Sequence, residues 1–266
     1  MLLALLLLLS PTTTAAEYAI VDDPNDQHVH FATPAEPTLN SDGTLDVLLH
    51  LKGPAELVVD AVVTTDRRPM VVVISDPGLS SVYARRFDNP ADTDALLAAA
   101  FDVFETQHGK RPAEGRLLIS SFSAGYGGVR ELLEHDVWFD RIDGLLMLDS
   151  IHAGFTDADT RTVNTTQMLG FVRFAKAAAA GEKTMTIVHA RYAPPTYAST
   201  METADHILTE LGLDTEPADE QLTEKLHVDR RAQHGNFRLV TTSANDGSDH
   251  APILRAMNIW LGDVLD

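Results

Sequence analysis

The sequence contains no cysteine, which excludes disulfides, thiolate nucleophiles and metal sites with sulfur ligands. Lysine is also scarce, since only five of the 20 basic residues are lysines, against 39 acidic residues. The formal net charge of −19 repels phosphate backbones, so we expect no nucleic-acid partner. An acidic, lysine-poor surface suits concentrated salt, but ordinary soluble proteins carry such surfaces too, and both interpretations stay open.

Long apolar runs are absent except near the amino terminus. Residues 2–9 are apolar but too few to span a bilayer, so we predict no stable membrane span. Pro11 ends the run, and Thr14, Ala15 and Ala16 offer small residues for a signal peptidase. We therefore predict a cleaved export signal over residues 1–16 and a secreted or periplasmic protein. Because no basic residue precedes the run, a miscalled start codon or a lipid-facing anchor is the alternative.

Residues 17–266 have enough apolar sequence for one large core, and no change of composition marks a boundary between domains. Continuous apolar strands alternate with amphipathic helices, which is typical of a mainly parallel sheet covered by helices on both faces. We therefore predict a single α/β domain. The predicted strands cover 46–51, 69–75, 116–120, 142–148, 184–189 and 237–242. The predicted helices cover 54–63, 95–108, 171–180, 201–211 and 251–264, and a further helix, marked by Val129, Leu132 and Leu133, follows the strand over 116–120.

Three local expectations concern the surroundings of that sheet. Residues 27–31 are predicted to form an edge strand. Residues 76–94 are predicted to form a long loop that makes a wall on the substrate side. Asp92 or Thr93 is predicted to cap the helix over 95–108, and Gly109 to end it.

The stretch ISSFSAGYGG, residues 119–128, joins a predicted strand to a predicted helix. Ser123 lies at the junction, between the small residues Ser121 and Gly125. A nucleophilic serine on a sharp strand-to-helix turn needs small neighbours at these positions. Such a turn directs the amide of Ala124 toward a developing oxyanion. A purely structural turn is the alternative interpretation.

Two side chains that follow predicted strands can complete a catalytic triad with Ser123. His250 lies between the last strand and the last helix, so it can reach the carboxyl edge of the sheet. Asp149 ends the strand GLLMLDS, and the next strand runs into TIVHARYAPPTYAS, which contains no carboxylate. The alternatives are a solvated loop histidine, a turn-forming Asp149, and Asp246 or Asp249 as the acid.

The order Ser123, Asp149, His250, each after a strand, resembles the α/β-hydrolase superfamily over most of residues 46–266. The stretch DSIHAGF is similar to one found in secreted bacterial serine hydrolases. The resemblance implies Ser123 as nucleophile, His250 as base and Asp149 as the acid that orients the base. It also implies esterase-like chemistry on a small-molecule or acyl-ester substrate, without a cofactor.

The same resemblance points to LLHLKGPAE, residues 48–56, as the other half of an oxyanion hole. Pro54 has no N–H, so the donor would be the amide of Lys52 or Gly53. Tyr126 and His152 are candidates for the substrate pocket. Simple packing is the alternative for Tyr126, and a structural hydrogen bond to a backbone carbonyl is the alternative for His152.

His28 and His30 would lie on one face of a strand, as metal ligands sometimes do. No third ligand follows at a familiar spacing, so we predict no metal site. The sequence therefore predicts a serine hydrolase that cleaves a carboxylic ester or related acyl bond. A binding protein on a hydrolase scaffold, suggested by Lys52 and Pro54, and a serine peptidase are the alternatives.

Overall fold

A computed structural model describes residues 17–243 and 250–265. The predicted export signal over residues 1–16 lies outside the described residues, so it stays a prediction, as does the secreted or periplasmic location. Within the described ranges, no helix is both long and apolar enough to cross a bilayer.

The strands follow the predicted apolar runs closely in the middle of the chain. They are β1 (Tyr18–Asp23), β2 (Asp26–Pro34), β3 (Leu45–Leu51), β4 (Met70–Ile74), β5 (Glu114–Phe122), β6 (Ile142–Leu148), β7 (Phe155–Asp157), β8 (Thr162–Val163), β9 (Thr184–His189), β10 (Glu216–Thr223), β11 (Leu226–His234) and β12 (Phe237–Thr242).

One ten-stranded sheet has the order β1-β2-β4-β3-β5-β6-β9-β12-β11-β10. The six central strands, from β4 to β12, are parallel to their neighbours, and the two outer strands on each side are antiparallel. The short strands β7 and β8 pair separately. Because the central strands are parallel, their carboxyl ends meet at one edge of the sheet, which we call the carboxyl edge.

The helices cover both faces of this sheet. They are α1 (Ala55–Val63), α2 (Ser80–Arg86), α3 (Pro90–His108), α4 (Tyr126–Glu134), α5 (Asp136–Arg141), α6 (Leu169–Ala179), α7 (Thr200–Leu211), α8 (His250–Arg255) and α9 (Met257–Leu265). Alternate strand residues enter separate cores, as Leu48 and Leu49 of β3 do. The core around Leu48 is covered by α1, α8 and α9, and that around Leu49 by α3, α4, α6 and α7. The predicted α/β fold class is therefore confirmed.

The start of α3 differs from its prediction. The helix begins at Pro90 rather than near residue 95, because the fixed φ of proline suits a first helical turn. Asn89 caps it, so the predicted cap at Asp92 or Thr93 is wrong. Gly109 ends the helix with a φ of 68°, as its position predicts.

Three other local predictions also need correction. Residues 76–94 are not a single loop, because they contain α2 and the start of α3. Within α2 only Tyr83 is buried, so no apolar periodicity signals that helix. The strand predicted over 27–31 is not an edge strand, since β2 lies between β1 and β4. The predicted final helix is divided at Ala256 into α8 and α9.

The amino edge of the sheet, where the parallel strands begin, carries a buried carboxylate with several partners. Asp46, at the start of β3, is 2% exposed. It accepts hydrogen bonds from Asn40 Nδ2 at 2.7 Å, from the Arg116 amide at 2.9 Å and from Arg67 Nη2 at 3.0 Å. Burial raises the pKa of Asp46, but the hydrogen bonds from Asn40 and Arg116 outweigh it and leave the pKa below its ordinary value.

Candidate active site

Three strands end at the carboxyl edge in residues with a strained backbone. Lys52 follows β3 with a φ of 73°, Ser123 follows β5 with 52°, and Asp149 follows β6 with 46°. A positive φ costs a residue with a side chain about 1–2 kcal/mol. Such strain concentrates at functional sites, because the surrounding fold must hold it in place. The three strained turns therefore mark this edge as the candidate active site.

The turn at Ser123 explains why glycine stands two residues later. A Cβ at Gly125 would lie 2.4 Å from the Leu51 carbonyl oxygen and 2.7 Å from Ser121 Oγ. Ser121 Oγ is 2.7 Å from Ser150 Oγ, which donates to the Ser123 carbonyl oxygen at 2.9 Å. Ser121 thus belongs to a hydrogen-bonded chain that supports the turn.

The predicted acid and base are in contact across 101 residues of sequence. His250 Nδ1 lies 2.7 Å from Asp149 Oδ2, and the Asp149 amide donates to the Val188 carbonyl at 2.7 Å. The His250 ring stacks on Phe122, with ring centroids 4.3 Å apart. A carboxylate accepts only, so Nδ1 is the donor in this contact, and in the neutral ring Nε2 is the nitrogen with the free lone pair.

Ser123 and His250 lie at the same edge of the sheet, but no hydrogen bond joins them in the described part of the chain. Such bonds are often long in a hydrolase without substrate and tighten when substrate binds. The alternative acids Asp246 and Asp249 lie outside the described residues.

His50, within β3, supports the loop that leads to the predicted oxyanion donors. Its Nε2 is 3.2 Å from the Lys52 carbonyl oxygen, and its Nδ1 is 2.7 Å from Ser120 Oγ. Since a carbonyl only accepts, Nε2 carries the proton and Nδ1 accepts from the hydroxyl. Complete burial lowers the pKa of His50 to about 4, so the ring is neutral at pH 7. A Cβ at Gly53 would lie 2.8 Å from His50 Nε2, which is why glycine fits there.

The two predicted donors of this loop are not equivalent. The Lys52 amide already donates to the Ile74 carbonyl at 2.8 Å. The hydrogen bonds of the described residues include none from the Gly53 amide. The Lys52 ammonium lies 5.9 Å from the centre of the Tyr83 ring rather than beside Ser123. The geometry therefore favours Gly53 over Lys52 as the donor.

A cleft of about 410 Å³ opens beside the Ser123 turn. Four residues that the sequence singles out line it: Ser123, Ala124, Tyr126 and His152. The His152 ring meets the Tyr126 ring edge-on, with centroids 5.1 Å apart, and the Tyr197 ring in the same way at 5.2 Å. These three rings form an aromatic wall.

His152 keeps an unusual polar atom in this wall. Its Nδ1 is buried and has no hydrogen-bond partner within the described residues. Burial lowers the pKa of His152, although the Asp149 carboxylate raises it in part, so the ring is neutral at pH 7. A neutral imidazole can pack against rings and also offer one polar atom to a bound molecule.

Arg130 and Tyr197 are among the cleft residues that sequence reasoning missed. Arg130 follows Tyr126 by four residues on α4, and its Cζ lies 5.5 Å from the centre of the Tyr126 ring. That spacing on one helical face is readable from the sequence. Tyr197 enters from an irregular segment between β9 and α7, and no periodicity signals its position.

The described residues contain no group of three or more histidines, aspartates or glutamates arranged to bind a metal. His30, one member of the His-x-His pair, has its Nδ1 2.7 Å from Asp22 Oδ1 on the adjacent strand.

No protein-family model matches the chain, and no curated protein is similar to it in sequence. Solved structures are similar in fold. A feruloyl esterase module from Clostridium thermocellum has a TM-score of 0.53 at 9% identity, covering 96% of this chain and 90% of the other. The siderophore hydrolase EstA from Aspergillus nidulans has a TM-score of 0.47 at 14% identity, covering 97% and 99%.

A cold-adapted esterase from an Arctic intertidal metagenomic library has a TM-score of 0.39 at 15% identity, covering 91% of each chain. At such low identities the likeness concerns the fold, and the feruloyl esterase module gives the strongest of these three matches. The match to the feruloyl esterase module, together with the central parallel strands and the helices on both faces, identifies the chain as a protein with an α/β-hydrolase-like fold.

Proposed function

We propose that the protein is a serine hydrolase that cleaves carboxylic esters through an acyl-enzyme. The observation that carries this proposal is the 2.7 Å hydrogen bond between His250 Nδ1 and Asp149 Oδ2, at the sheet edge where Ser123 occupies a strained turn. With Nδ1 donating to Asp149, Nε2 of the neutral ring is the nitrogen that can serve as a general base. The esterases among the structural neighbours support the same class of reaction.

In the first half of the proposed reaction, His250 Nε2 removes the proton from Ser123 Oγ as that oxygen attacks the ester carbonyl carbon. The carbonyl oxygen becomes an oxyanion, which the amides of Ala124 and Gly53 stabilise. When the tetrahedral intermediate collapses, the bond to the alcohol oxygen breaks and His250 returns the proton to that oxygen. The alcohol leaves, and the acyl group stays on Ser123.

In the second half, water takes the place of the alcohol. His250 removes a proton from water as the water oxygen attacks the acyl carbon. The bond to Ser123 Oγ then breaks, and the proton on His250 passes to the serine. Throughout, Asp149 keeps the proton of His250 on Nδ1 and stabilises the imidazolium that forms at each step.

Replacement of the proposed nucleophile gives the decisive test. Ser123→Ala should lower kcat for 4-nitrophenyl acetate or butyrate by several powers of ten, on the order of 10⁴ to 10⁶. The measurement is the release of 4-nitrophenol by purified protein, with circular dichroism to show that the variant is folded. Ser41→Ala, an exposed serine before β3, is the matched control and should keep the wild-type rate.

A fluorophosphonate probe separates turnover from simple binding. The wild-type protein should form a covalent adduct that mass spectrometry locates at Ser123, and Ser123→Ala should form none. A folded protein that hydrolyses no ester and takes no label would favour the binding-protein alternative. Peptide anilides cleaved faster than esters would instead favour a peptidase. An unchanged esterase rate in Ser123→Ala would contradict the assignment of the nucleophile.

A further inference from the structure

Arg130 places a guanidinium in the wall of the cleft that Ser123 lines. It lies seven residues after Ser123, and its side chain shares one face of α4 with Tyr126. The guanidinium lies over the Tyr126 ring, with Cζ 5.5 Å from the ring centre, within the range of a cation–π contact.

The charge of Arg130 is unusual in its surroundings. Most arginines of this acidic chain form ion pairs with carboxylates. Arg130 forms no ion pair with any described residue, although Glu131 and Glu134 belong to the same helix. A positive charge that forms no ion pair with a carboxylate among the described residues, in the wall of a cleft, attracts an anion from outside.

The position of Arg130 suits a group at one end of an ester. Seven residues of helix separate it from Ser123 by roughly 10 Å along the axis. Helical side chains lean toward the amino terminus, so the arginine stem shortens that distance. A spacer of roughly four carbon–carbon bonds covers about 5 Å. A carboxylate separated from the scissile carbonyl by such a spacer therefore fits between Ser123 and Arg130.

We propose that Arg130 is a substrate-binding residue that selects esters carrying a carboxylate at the end remote from the scissile bond. This inference rests on the proposed ester hydrolysis and names a substrate class for it. The guanidinium binds the carboxylate through charge-assisted hydrogen bonds, while the ring of Tyr126 holds the guanidinium in orientation. Neutral esters enter the same cleft without this contact.

A matched pair of esters tests the proposal on the acyl side. Mono(4-nitrophenyl) glutarate carries the carboxylate, and its methyl ester has the same acyl chain without the charge. Wild type should prefer the charged ester. In Arg130→Gln, kcat/KM for the charged ester should fall about 10- to 100-fold, mainly through KM, because one charge-assisted contact to bound substrate is lost. The readout is the ratio of kcat/KM for the charged ester to kcat/KM for the methyl ester, which should fall about 10-fold or more in Arg130→Gln.

Two further variants serve as controls. Arg130→Lys keeps the charge but loses the planar guanidinium, so its kcat/KM for the charged ester should lie between those of wild type and Arg130→Gln. Arg230→Gln makes the same change of net charge at an exposed arginine of β11, and its preference should equal that of wild type. Added salt should reduce the preference of wild type for the charged ester, because ions screen the attraction.

A second pair of esters tests whether the carboxylate lies on the alcohol side of the scissile bond. Phenyl acetate and 4-acetoxybenzoate differ by a carboxylate on the leaving group. If Arg130→Gln changes only this second ratio, the anion belongs to the alcohol and the selection by Arg130 still holds. Equal ratios for wild type and Arg130→Gln with both pairs would overturn the proposal, even while Ser123-dependent hydrolysis of the neutral esters continued.

A binding measurement keeps the inference separate from turnover. Calorimetry on Ser123→Ala should show that glutarate binds more tightly than neutral glutaramide, and Ser123→Ala with Arg130→Gln should bind both equally weakly. If wild type hydrolyses none of the esters, the proposed function fails, and this measurement still decides the anion site. No difference between the two ligands in Ser123→Ala would overturn it.

Discussion

The two edges of the parallel sheet differ in how they hold their polar residues. At the amino edge, the carboxylate of Asp46 accepts bonds from Asn40, Arg67 and Arg116, and all of its oxygens have partners. At the carboxyl edge, Ser123 and Asp149 occupy strained backbone conformations. The amino edge therefore gains stability from a fully paired carboxylate, whereas the carboxyl edge holds backbone strain that the surrounding fold must offset.

The largest expected effects come from replacing an aspartate with asparagine at each edge and comparing the losses of activity and stability. Asp149→Asn should lower kcat about 10⁴-fold, because an amide no longer fixes the tautomer of His250, while the free energy of unfolding changes by about 1 kcal/mol or less. Asp46→Asn should lower the free energy of unfolding by about 3 kcal/mol, because two arginines lose their shared carboxylate. Ester hydrolysis and urea unfolding measure the two effects.

Without urea, and well below its melting temperature, folded Asp46→Asn should hydrolyse the ester with the same kcat as wild type. Equal losses of kcat in the two variants, or a larger loss of stability in Asp149→Asn, would show that the division between the edges is mistaken.

The pH dependence of stability should also distinguish the edges. His50 has a folded pKa of about 4, below that of the unfolded chain, so unfolding takes up a proton as the pH falls below about 6.5. Its stabilisation is present above that pH and is lost by about pH 4, at a cost of up to about 3 kcal/mol. The pKa of Asp46 is also lowered, so its contribution is lost only at more acidic pH.

Urea unfolding between pH 7 and pH 4 measures this slope, and His50→Gln should flatten it. Proton NMR of the His50 ring gives a second readout, because the ring should stay neutral down to about pH 4. A His50 ring that titrates near pH 6.5 would refute the prediction whether or not the glutamine variant folds.

The smallest expected effect concerns the strain at Ser123 itself. Ser123→Gly and Ser123→Ala both remove the hydroxyl, but glycine adopts a φ of 52° without a Cβ penalty. The glycine variant should therefore be more stable than the alanine variant by about 1 kcal/mol. Thermal unfolding of both variants measures the difference.

Ala95→Gly is the matched control, since it exchanges the same residue types in the exposed part of α3. It should destabilise the protein by about 0.5–1 kcal/mol. If Ser123→Gly were also less stable than Ser123→Ala, the turn at Ser123 would not be strained.

The central strands were predictable because burial on both faces leaves an unbroken apolar signal. β6 has the predicted bounds, and so do β9 and β12. The turn at Ser123 was predictable for a different reason, since a strained turn requires small neighbours such as Gly125. These features depend on local sequence, so one chain is enough to find them.

Of the four outer strands, only β2 was predicted in part, over residues 27–31, whereas β1 and β10 could not be predicted because they are largely exposed. β10 reads EPADEQLT and has no alternation, so only its pairing with β11 makes it a strand. The contact between Asp149 and His250 also depends on the whole sheet, and the sequence supplied only the order of the residues. Arg130 was missed because a charge on a helix normally indicates a solvated face.

The polar composition of β10 has a consequence for how copies of this chain meet. Among residues 17–243 and 250–265, β10 is the last strand of the sheet and one side of its backbone has no strand partner. An open side of this kind can template the addition of another strand. Glu216, Asp219 and Glu220 put negative charge along it. A second copy added there would bring like charges together, so the acidity of this strand discourages growth of the sheet into a fibre.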